Sequence, residues 1–555
     1  MTFWELFFRV LPYKPFQAIT AAYWHVTRRR VRARNGLKVA CADLPFTYDI
    51  WIARHERRSM SGDTVRGEDL GWSFIPSFLV VIYDGECSES ELLKRSVQSL
   101  EKQSYPYWML RTEGSGRFHR QLADANNDYL IPLRTGDELS EDALFRLAEA
   151  AVANARPSIL FGDEDELDQW GNRTRPWFKP RWNQELFFAQ DYLSKAIAIE
   201  VALARRVADR ADTLHALVIA ATSDADRSIT HVPHILTHVR SSPIDEMQRL
   251  PVLGRHLEPM GARCSPGPFG TVKVTWPLPK QLPRVSIIVP TRDKLNLLRP
   301  CLESVLGRTD YSNFEVLVLD NESAERATID YLNLLAQDER VRVVRFPGPY
   351  NFSIFNNFAA SHVSGEYLCL LNNDTEVLEP GWLSEMMRYA VQPQVGAVGA
   401  KLLYDDGTIQ HAGVVIGLGD AAGHAHRFLP ANDPGYFRLA HLTHFVSAVT
   451  AACLVVEKSK FEAVGGLDEQ LGVAFNDVDL CLKFEAAGWR NVYVPHAVLV
   501  HHESKSRPKD SSPDQYERYM RELGLLQDRW GTRTYSDPLH SPNLDRYSET
   551  FVIRF

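Results

Sequence analysis

The stretch Gly365–Glu376, GEYLCLLNNDTE, joins an apolar run to a polar corner. Tyr367–Leu371 has no polar alternation, which predicts a short strand covered on both faces of its sheet. Asn372, Asn373 and Asp374 follow at the carboxyl end of this strand, where open α/β sheets bind ligands. A carboxylate there can bind a hard cation such as Mg²⁺ or Mn²⁺, although an ordinary polar turn accounts for the same residues.

The segments before this stretch alternate between strand and helix patterns. Val285–Val289, Phe314–Leu319 and Val341–Phe346 are apolar runs of strand length, and Leu295–Leu306 places its leucines on one helical face. Polar residues of the kind that bind ligands follow the first two strands. The pattern predicts a doubly wound α/β domain that binds a nucleotide.

Composition narrows the class of protein. A length of 555 residues predicts two to four domains, and a net charge of −8 argues against a general nucleic-acid binder. The seven cysteines are odd in number and form no CxxC motif, which predicts reduced thiols in a cytosolic protein. No run of 18 apolar residues occurs, so no transmembrane helix is predicted.

The N-terminal segment has an unusual composition. Phe3–Tyr23 is rich in aromatic residues, and a basic run from Arg28 to Arg34 follows it. A signal peptide has its positive charge before its apolar core, so this order does not fit one. The segment fits peripheral contact with an anionic membrane surface, and the alternative is a packed helix with a solvated basic end.

The first half of the chain repeats the second half in shorter form. DYLIPLRTGDEL (128–139) matches EYLCLLNNDTEV, and VPHILTH (232–238) matches VPHAVLVH (494–501). SVQSLEKQSYPYWML (96–110) matches the segment from Cys301 to Leu319, which places Ser99 on Ser304 and Tyr105 on Tyr311. An internal repeat of this kind predicts two related α/β domains.

The first copy lacks residues that the second copy contains. About one strand-helix-strand unit is missing between its second and third strands. In its polar corner, Arg134 and Gly136 stand at the positions of Asn372 and Asp374. An arginine repels a divalent cation, so we predict that the first domain binds no metal-diphosphate.

The second half resembles an inverting family 2 glycosyltransferase of the GT-A fold, similar to bacterial enzymes of O-antigen and surface polysaccharide synthesis. The resemblance spans about 220 residues, and the first half resembles the same fold in degenerate form. The matching motifs are VSIIVPTRD (285–293), LVLDNES (317–323), YNFSIFNNFAASHVSGEYLCLLNNDTEV (350–377), IQHAGVVIG (409–417), VSAVTAACLVVEKSKFEAVGGLDE (446–469), FNDVDLCLKFEAAGW (475–489) and VLVHHESKS (498–506).

The resemblance and the linker prolines together divide the chain. The predicted parts are an aromatic and basic lead-in (1–72), a degenerate GT-A-like domain (73–265), a linker (266–283), a catalytic GT-A domain (284–505) and a C-terminal helical tail (506–555).

The resemblance also implies roles for individual residues. Asp374 is the expected ligand of Mn²⁺ or Mg²⁺, with Asn372 as a weaker helper and His501 completing the metal or diphosphate side. The family more often has two acids in this corner, so Asn372 departs from its pattern. Asp477 falls on the position of the general base, and Asp479 lies beside it in the acceptor or donor-sugar site. Both aspartates also suit the first turn of a helix, where carboxylates are common caps.

The nucleotide is expected across the ends of the first two strands. His411, His424 and His426 lie in a Gly-rich loop, and we interpret them as acceptor-site or solvent residues without a separate zinc site. The residues expected to bind the donor nucleotide are Pro290, Thr291, Asp293, Asp320, Asn321, Asn357 and Asn373.

The resulting hypothesis is metal-dependent transfer of a sugar from a nucleotide-diphosphate sugar to a glycan or polyprenyl-linked acceptor. The reaction is expected in the cytoplasm, at the inner face of the cytoplasmic membrane. A non-catalytic assembly subunit is the alternative. A sugar-nucleotide pyrophosphorylase needs a Gly-rich loop after its first strand, and PTRDKLN (290–296) is not one. The donor base, the sugar and the acceptor stay open.

Overall fold

The computed structural model describes residues 2–28, 30–41, 44–56, 65, 67–83, 91–113, 118–240, 246–502 and 513–554. The chain divides into two compact units. Unit 1 comprises Met1–Val274, His540–Ser548 and Val552–Phe555, and unit 2 comprises Thr275–Leu539 and Glu549–Phe551. Within the described ranges, no helix is long and apolar enough to cross a membrane. The six cysteines in these ranges are free thiols, and Cys87 lies outside them.

Unit 1 begins with helices and continues as a mixed α/β domain. Its helices are α1 (Phe3–Val10), α2 (Pro15–Val26), α3 (Arg30–Cys41), α4 (Pro45–His55), α5 (Glu91–Glu101), α6 (His119–Leu122), α7 (Ala143–Ala153), α8 (Gln184–Ala189), α9 (Val201–Ala208), α10 (Leu214–Ser223) and α11 (Glu246–Leu257). Its strands are β1 (Phe78–Tyr83), β2 (Trp108–Glu113), β3 (Tyr129–Arg134), β4 (Glu138–Leu139), β5 (Ile159–Leu167), β6 (Arg173–Trp177), β7 (Ile197–Glu200), β8 (Ile229–Arg240), β9 (Arg263–Pro266) and β10 (Val272–Thr275).

Unit 2 is an α/β domain and contains the larger of the two main sheets. Its helices are α12 (Leu295–Arg308), α13 (Arg326–Leu335), α14 (Phe352–Ser361), α15 (Trp382–Ala390), α16 (Lys458–Ala463), α17 (Asn476–Ala486) and α18 (Pro513–Trp530). Its strands are β11 (Val285–Thr291), β12 (Phe314–Asp320), β13 (Val341–Arg345), β14 (Tyr367–Leu371), β15 (Thr375–Val377), β16 (Val395–Leu403), β17 (Ile409–His411), β18 (Val414–Ile416), β19 (Ala422–His424), β20 (His444–Val446), β21 (Cys453–Glu457) and β22 (Arg490–His501). The predicted α/β fold class is confirmed.

The sheet of unit 2 runs in the order β13-β12-β11-β14-β21-β16-β22-β15. The first four strands in this order are parallel, so their carboxyl ends meet at one edge of the sheet. β21 runs antiparallel to β14 and begins at that same edge. Apolar side chains of the sheet pack against α12, α13 and α15 in one continuous core, which explains why β14 is buried along its whole length.

The sheet of unit 1 has the order β2-β1-β3-β7-β5-β8-β4. Each of these strands has a counterpart in the order β12-β11-β14-β21-β16-β22-β15 of unit 2, and the parallel and antiparallel pairings agree. Unit 2 adds β13 at the edge, together with α13 and α14. Between its second and third strands unit 1 has, among the described residues, the short helix α6.

Equivalent residues in the two units also make equivalent hydrogen bonds. The Ser99 hydroxyl donates to Ser96 O and accepts from Leu139 N. The Ser304 hydroxyl donates to Cys301 O and accepts from Val377 N, in the strand β15 that follows the corner. The Tyr105 and Tyr311 hydroxyls each donate to the carbonyl of a proline before the first strand, at 2.8 and 2.7 Å. The two units therefore share a hydrogen-bonded frame as well as a strand order.

Candidate active site

Three strand ends are joined at the carboxyl edge of the unit 2 sheet. Thr291, the last residue of β11, lies opposite Asp320 of β12. The Asn321 N–H donates to Thr291 O at 2.8 Å, and the Asn373 side-chain amide donates to the Thr291 hydroxyl at 2.9 Å. Thr291, Asn321 and Asn373, which were all predicted to bind the donor nucleotide, are therefore brought together.

The Asn321 side chain is nearly enclosed, with 1% of its surface exposed. Its amide nitrogen donates to Phe346 O and Gly348 O, at 3.2 and 2.8 Å. Its Oδ1 is buried and accepts no hydrogen bond from the described residues. A buried acceptor without a donor is uncommon in folded proteins, and this one lies at the sheet edge where a ligand is expected.

Two predicted nucleotide-binding carboxylates hold the loops at this edge. Asp293 accepts from the N–H groups of Ala324 and Glu325, at 2.7 and 2.8 Å. Asp320 accepts from Ser323 N at 2.9 Å. Asp293 has a φ of 52°, a left-handed conformation that costs energy for a residue other than glycine. These bonds fix the loops after β11 and β12.

Two of the residues predicted to contact the donor, Pro290 and Asn357, make contacts within the domain. Pro290 is buried within β11, so its ring belongs to the sheet. The Asn357 side chain accepts from Leu467 N and donates to Leu467 O, both at 2.9 Å. Both ends of its amide hold the loop after α16, and its contact with the nucleotide stays a prediction.

Asp374 and His501 form a buried pair in the polar corner. Their side chains are 4% and 8% exposed, and His501 Nε2 lies 3.1 Å from Asp374 Oδ1. The pair is assembled by the sheet, because Thr375 of β15 lies opposite His501 of β22. The Asn372 amide nitrogen lies 3.3 Å from the same Nε2. The structure therefore joins the three residues that the sequence predicted as metal ligands.

The surroundings of His501 suit a divalent cation. Its Nδ1 lies 2.9 Å from Gln410 Oε1 and donates to it, so Nε2 carries the lone pair of the neutral ring. Two ligands that neighbour each other on an octahedral ion at about 2.1 Å are about 3 Å apart, close to the spacing of this pair. To join them as a ligand, Asn372 must present its amide oxygen in place of its nitrogen.

No group of three or more His, Cys, Asp or Glu side chains in the described ranges is arranged to hold a metal. A site with two protein ligands still fits Mg²⁺ or Mn²⁺, because such ions commonly take one or two protein ligands together with substrate phosphates. The corner therefore suits a cation that arrives with a diphosphate.

The segment 450–452 connects Asp477 to this corner through hydrogen bonds. Asp477 accepts hydrogen bonds from Ala451 N at 3.0 Å and Val478 N at 2.9 Å. The same segment accepts the Asn372 N–H at Ala452 O, at 3.0 Å. Burial raises the pKa of Asp477, although its hydrogen bonds partly oppose the rise. A carboxylate with a raised pKa at a ligand-binding edge is suited to take a proton.

Asp479 faces a different part of the domain. Residues two apart on a helix point to opposite sides, so α17 cannot present both aspartates to one cleft. Asp479 is fully buried and accepts from Arg529 Nη1 at 2.7 Å and Trp530 Nε1 at 2.9 Å. Lys483 Nζ lies 3.5 Å away. Asp479 therefore holds α18 against α17, and these contacts leave its predicted place in the sugar site without support.

The histidines of the Gly-rich loop are also more enclosed than predicted. His411 and His426 are 0% and 1% exposed, so neither is a solvent residue. The His411 and His424 rings approach through their Nδ1 atoms at 2.9 Å. Burial lowers the pKa of His411 well below its usual value and that of His426 to about 3. The His411 and His426 rings are therefore neutral, buried groups.

A cavity of about 660 Å³ lies between α18 and the segment that leads to Asp477. Phe352 N donates to Gly472 O in this wall, which places the cavity at the amino end of α14 and thus at the ligand-binding edge. Its lining includes the side chains of Tyr350, Glu469, Gln515, Arg518, Arg521 and Glu522. No sequence motif predicted this cavity, although Gln515, Arg518 and Glu522 recur at helical spacing in the tail.

Comparison with known proteins agrees with this geometry. Residues 286–454 match the model of glycosyl transferase family 2. The uncharacterized protein y4gI of Sinorhizobium fredii is 41% identical over 453 residues, 77% of this chain and 50% of that protein. The O-antigen biosynthesis protein RfbC of Myxococcus xanthus is 35% identical over 449 residues, 76% of this chain and 34% of that protein.

A shorter match is to an N-acetylglucosaminyl-diphospho-decaprenol L-rhamnosyltransferase of Mycobacterium tuberculosis. It is 42% identical over 65 residues, 12% of this chain and 21% of that enzyme. The chain spans half or less of the length of these three relatives. Residues 286–454 are therefore similar to glycosyltransferase family 2, which agrees with the resemblance found in the motifs.

We expect Asp479→Ala to destabilise the protein. The variant leaves Arg529 and Lys483 without their buried carboxylate, and breaking a buried ion pair costs about 3–5 kcal/mol. The Arg529 side chain is 36% exposed, so we expect a smaller loss, about 2–3 kcal/mol, measured by urea unfolding. Asp528→Ala, at an exposed site on the same helix, is the matched control and should change stability by less than about 0.5 kcal/mol. Equal stability of the two variants would refute the fastening role.

Proposed function

We propose that the chain transfers a sugar, with inversion, from a nucleotide-diphosphate sugar to a glycan or polyprenyl-linked acceptor, and that the reaction needs a divalent metal. The observation that carries the proposal is the shared edge of the unit 2 sheet. It holds the Asp374–His501 pair and Asp477, which Ala451 and Ala452 connect to Asn372 through main-chain hydrogen bonds. The match of residues 286–454 to glycosyl transferase family 2 supports the same reaction class.

The mechanism assigns a task to each part of the edge. The nucleotide binds across the ends of β11 and β12, near Thr291, Asn321 and Asn373. Asp374 and His501 would hold the metal, which when bound neutralises charge on the leaving diphosphate. The Asp477 carboxylate takes the proton of an acceptor hydroxyl as the acceptor oxygen bonds to the anomeric carbon and the bond from that carbon to the diphosphate oxygen breaks. Attack from the face opposite the leaving group inverts the anomeric centre.

The proposed architecture is a tandem of two GT-A-like domains with one working copy. The shared strand order and the shared serine and tyrosine bonds support a common origin of the two units. In unit 1, His238, which the sequence repeat aligns with His501, bonds to Asp165 at 2.7 Å. Arg134 is exposed in the corner of that unit. Unit 1 then serves as a scaffold.

The relatives suggest the biological setting. One is named for O-antigen biosynthesis and another for rhamnosyl transfer to a diphospho-decaprenol acceptor. We therefore propose a role in bacterial surface polysaccharide synthesis, on the cytoplasmic side of the membrane. Rhamnosyl donors and polyprenyl-diphosphate acceptors are the first substrates to test.

Metal-dependent nucleotide binding is the first test. Titration calorimetry with UDP, dTDP and GDP, each with and without Mn²⁺, should show one nucleotide that binds tightly only with the metal. Asp374→Ala and His501→Ala should abolish the metal-dependent part, and Gln410→Ala should weaken it about 10–100-fold by releasing the His501 ring. His502→Ala, next to the pair, is the matched control. No binding of any nucleotide by the folded protein would favour the assembly-subunit alternative.

Asp477→Asn should lower kcat about 10²–10⁴-fold, the usual contribution of a general base. Nucleotide and Mn²⁺ binding should stay unchanged, which separates a base from a binding residue. Because the pKa of Asp477 is raised, wild-type activity should fall as the pH decreases through a value above that of an ordinary aspartate, about 3.9. A variant that keeps full turnover, or loses nucleotide binding instead, would contradict this role.

The cavity beside α18 is the proposed acceptor site. Its two arginines and two glutamates balance in charge, and Tyr350 offers an aromatic face, a combination that suits a neutral, hydroxyl-rich sugar better than an anion. Gly472 and Val473 of its lining lie five and four residues before Asp477 along the chain, which supports an acceptor position near the proposed base.

Arg521→Ala should raise the KM for the acceptor about tenfold, since a hydrogen bond to a charged group contributes about 1.5–3 kcal/mol. The KM for the donor should not change. The assay uses N-acetylglucosaminyl-diphospho-decaprenol as acceptor and dTDP-rhamnose as donor. Glu517→Ala, at an exposed position outside the cavity wall, is the control. A selective increase in the donor KM would assign the cavity to the nucleotide sugar and overturn the acceptor assignment.

A further inference from the structure

Large apolar side chains are exposed on the first two helices of unit 1 at an unusual density. The described residues include 21 large apolar side chains that are exposed, and seven of them lie between residues 4 and 26. This cluster, here called the apolar face, consists of Trp4, Phe8, Tyr13, Phe16, Ile19, Tyr23 and Val26. Concentrated exposure of this kind marks an interaction site, whereas single exposed apolar residues are ordinary.

α2 has the reverse of the usual arrangement of a surface helix. Its buried residues are Ala18 and Ala21, and α3 packs closely against it. Its exposed residues Phe16, Ile19, Tyr23 and Val26 follow the spacing of three, four and three that places side chains on one helical face. Small residues therefore face the protein and large apolar residues face outward. This arrangement is unfavourable for a helix whose outer side contacts only water.

α1 continues the same surface. Leu6 and Val10 are buried in a small core with α2 and α3, while Trp4 and Phe8 are 44% and 64% exposed. The two exposed residues are four apart and lie on one face. The inward side of α1 therefore packs against α2 and α3, and its outward side adds the rings of Trp4 and Phe8 to the apolar face.

Positive charge surrounds the apolar face. Residues 1–41 contain eight lysines and arginines and a single acid, Glu5. Thr2 and Glu5 form a capping box at the start of α1, so that acid is used on its own helix. Arg28, Arg30 and Arg34, just beyond the end of the apolar face and along α3, are exposed. An apolar stripe with a basic border matches the boundary between acyl chains and anionic headgroups.

We propose that the apolar face binds an anionic lipid surface, with the rings of α1 and α2 in the headgroup region and the arginines of α3 on lipid phosphates. The helices lie on the membrane rather than cross it, because α2 has 12 residues and spans about 18 Å, against about 30 Å for the hydrocarbon core. A protein partner explains the exposed rings equally well but not the nearly complete lack of acids, which favours lipid as the occupant.

This proposal does not depend on the catalytic assignment. None of its residues belongs to the nucleotide edge, the metal corner or the cavity described above. A lipid surface is nevertheless where a polyprenyl-linked acceptor is held, so membrane binding would supply that acceptor at high local concentration.

Sedimentation of the full chain with lipid vesicles tests the proposal. We expect binding to vesicles of phosphatidylcholine with 30% phosphatidylglycerol, weaker binding to phosphatidylcholine alone, and weakening of the anionic part by salt. The triple variant F16S/I19S/Y23S should lose binding at least tenfold. The triple variant R28Q/R30Q/R34Q should lose affinity for anionic vesicles by about fivefold per charge, on the order of a hundredfold in total, and little for neutral ones.

Matched controls remove exposed apolar groups elsewhere. Trp170→Ser and Leu334→Ser change side chains that are 77% and 61% exposed, and both should bind vesicles as the wild type does. Thermal unfolding of every variant should stay near the wild-type midpoint, because the changed groups lie at the surface. Three results would overturn the proposal: no vesicle binding by the wild type, binding that survives both triple variants, or dimerisation in lipid-free solution that F16S/I19S/Y23S abolishes.

Discussion

The antiparallel pairing of β14 with β21 is the contact on which the candidate site depends. It sets Leu371 opposite Cys453, so the residues just before β21 lie beside the corner that follows β14. This short segment bonds to Asn372 through the carbonyl of Ala452 and to Asp477 through the N–H of Ala451. The distance between the Asp374 corner and Asp477, the proposed base, is therefore set by main-chain hydrogen bonds, which a fold rarely leaves unmade, and does not rely on the rotamers of long side chains.

Unit 1 shows which part of this arrangement the fold itself requires. It keeps the strand order and the bonds of its serine and tyrosine, because those groups are buried and their loss would leave polar atoms unsatisfied. It has an arginine and a glycine in the corner, and the glycine has a φ of 94°. Corner residues contribute little to packing, so they can change without unfolding the domain. The residues that maintain the fold and the residues of the polar corner are thus under separate constraints.

Much of the fold could be predicted because strands buried on both faces appear in the sequence as unbroken apolar runs, as β11, β12 and β14 do. The meeting of Asp374 with His501, which are 127 positions apart, was available only through resemblance, since register between distant strands leaves no local pattern. The bonds that Asp479 and Asn357 make inside the domain could not be predicted for a similar reason. Their partners, Arg529 and Leu467, lie far along the chain, and a polar residue bonded inside a domain looks the same in sequence as one that faces a ligand.

The attachment of α18 has a consequence for how enzymes of this kind diversify. This helix forms one wall of the proposed acceptor cavity and is held through Asp479 near its C-terminal end, while the proposed nucleotide edge is built from strands and loops earlier in the chain. Substitutions on the cavity side of α18 can therefore alter which molecule is accommodated without altering the parts that recognise the donor. Related proteins can therefore keep the residues that bind the donor while the residues of α18 that line the cavity change independently.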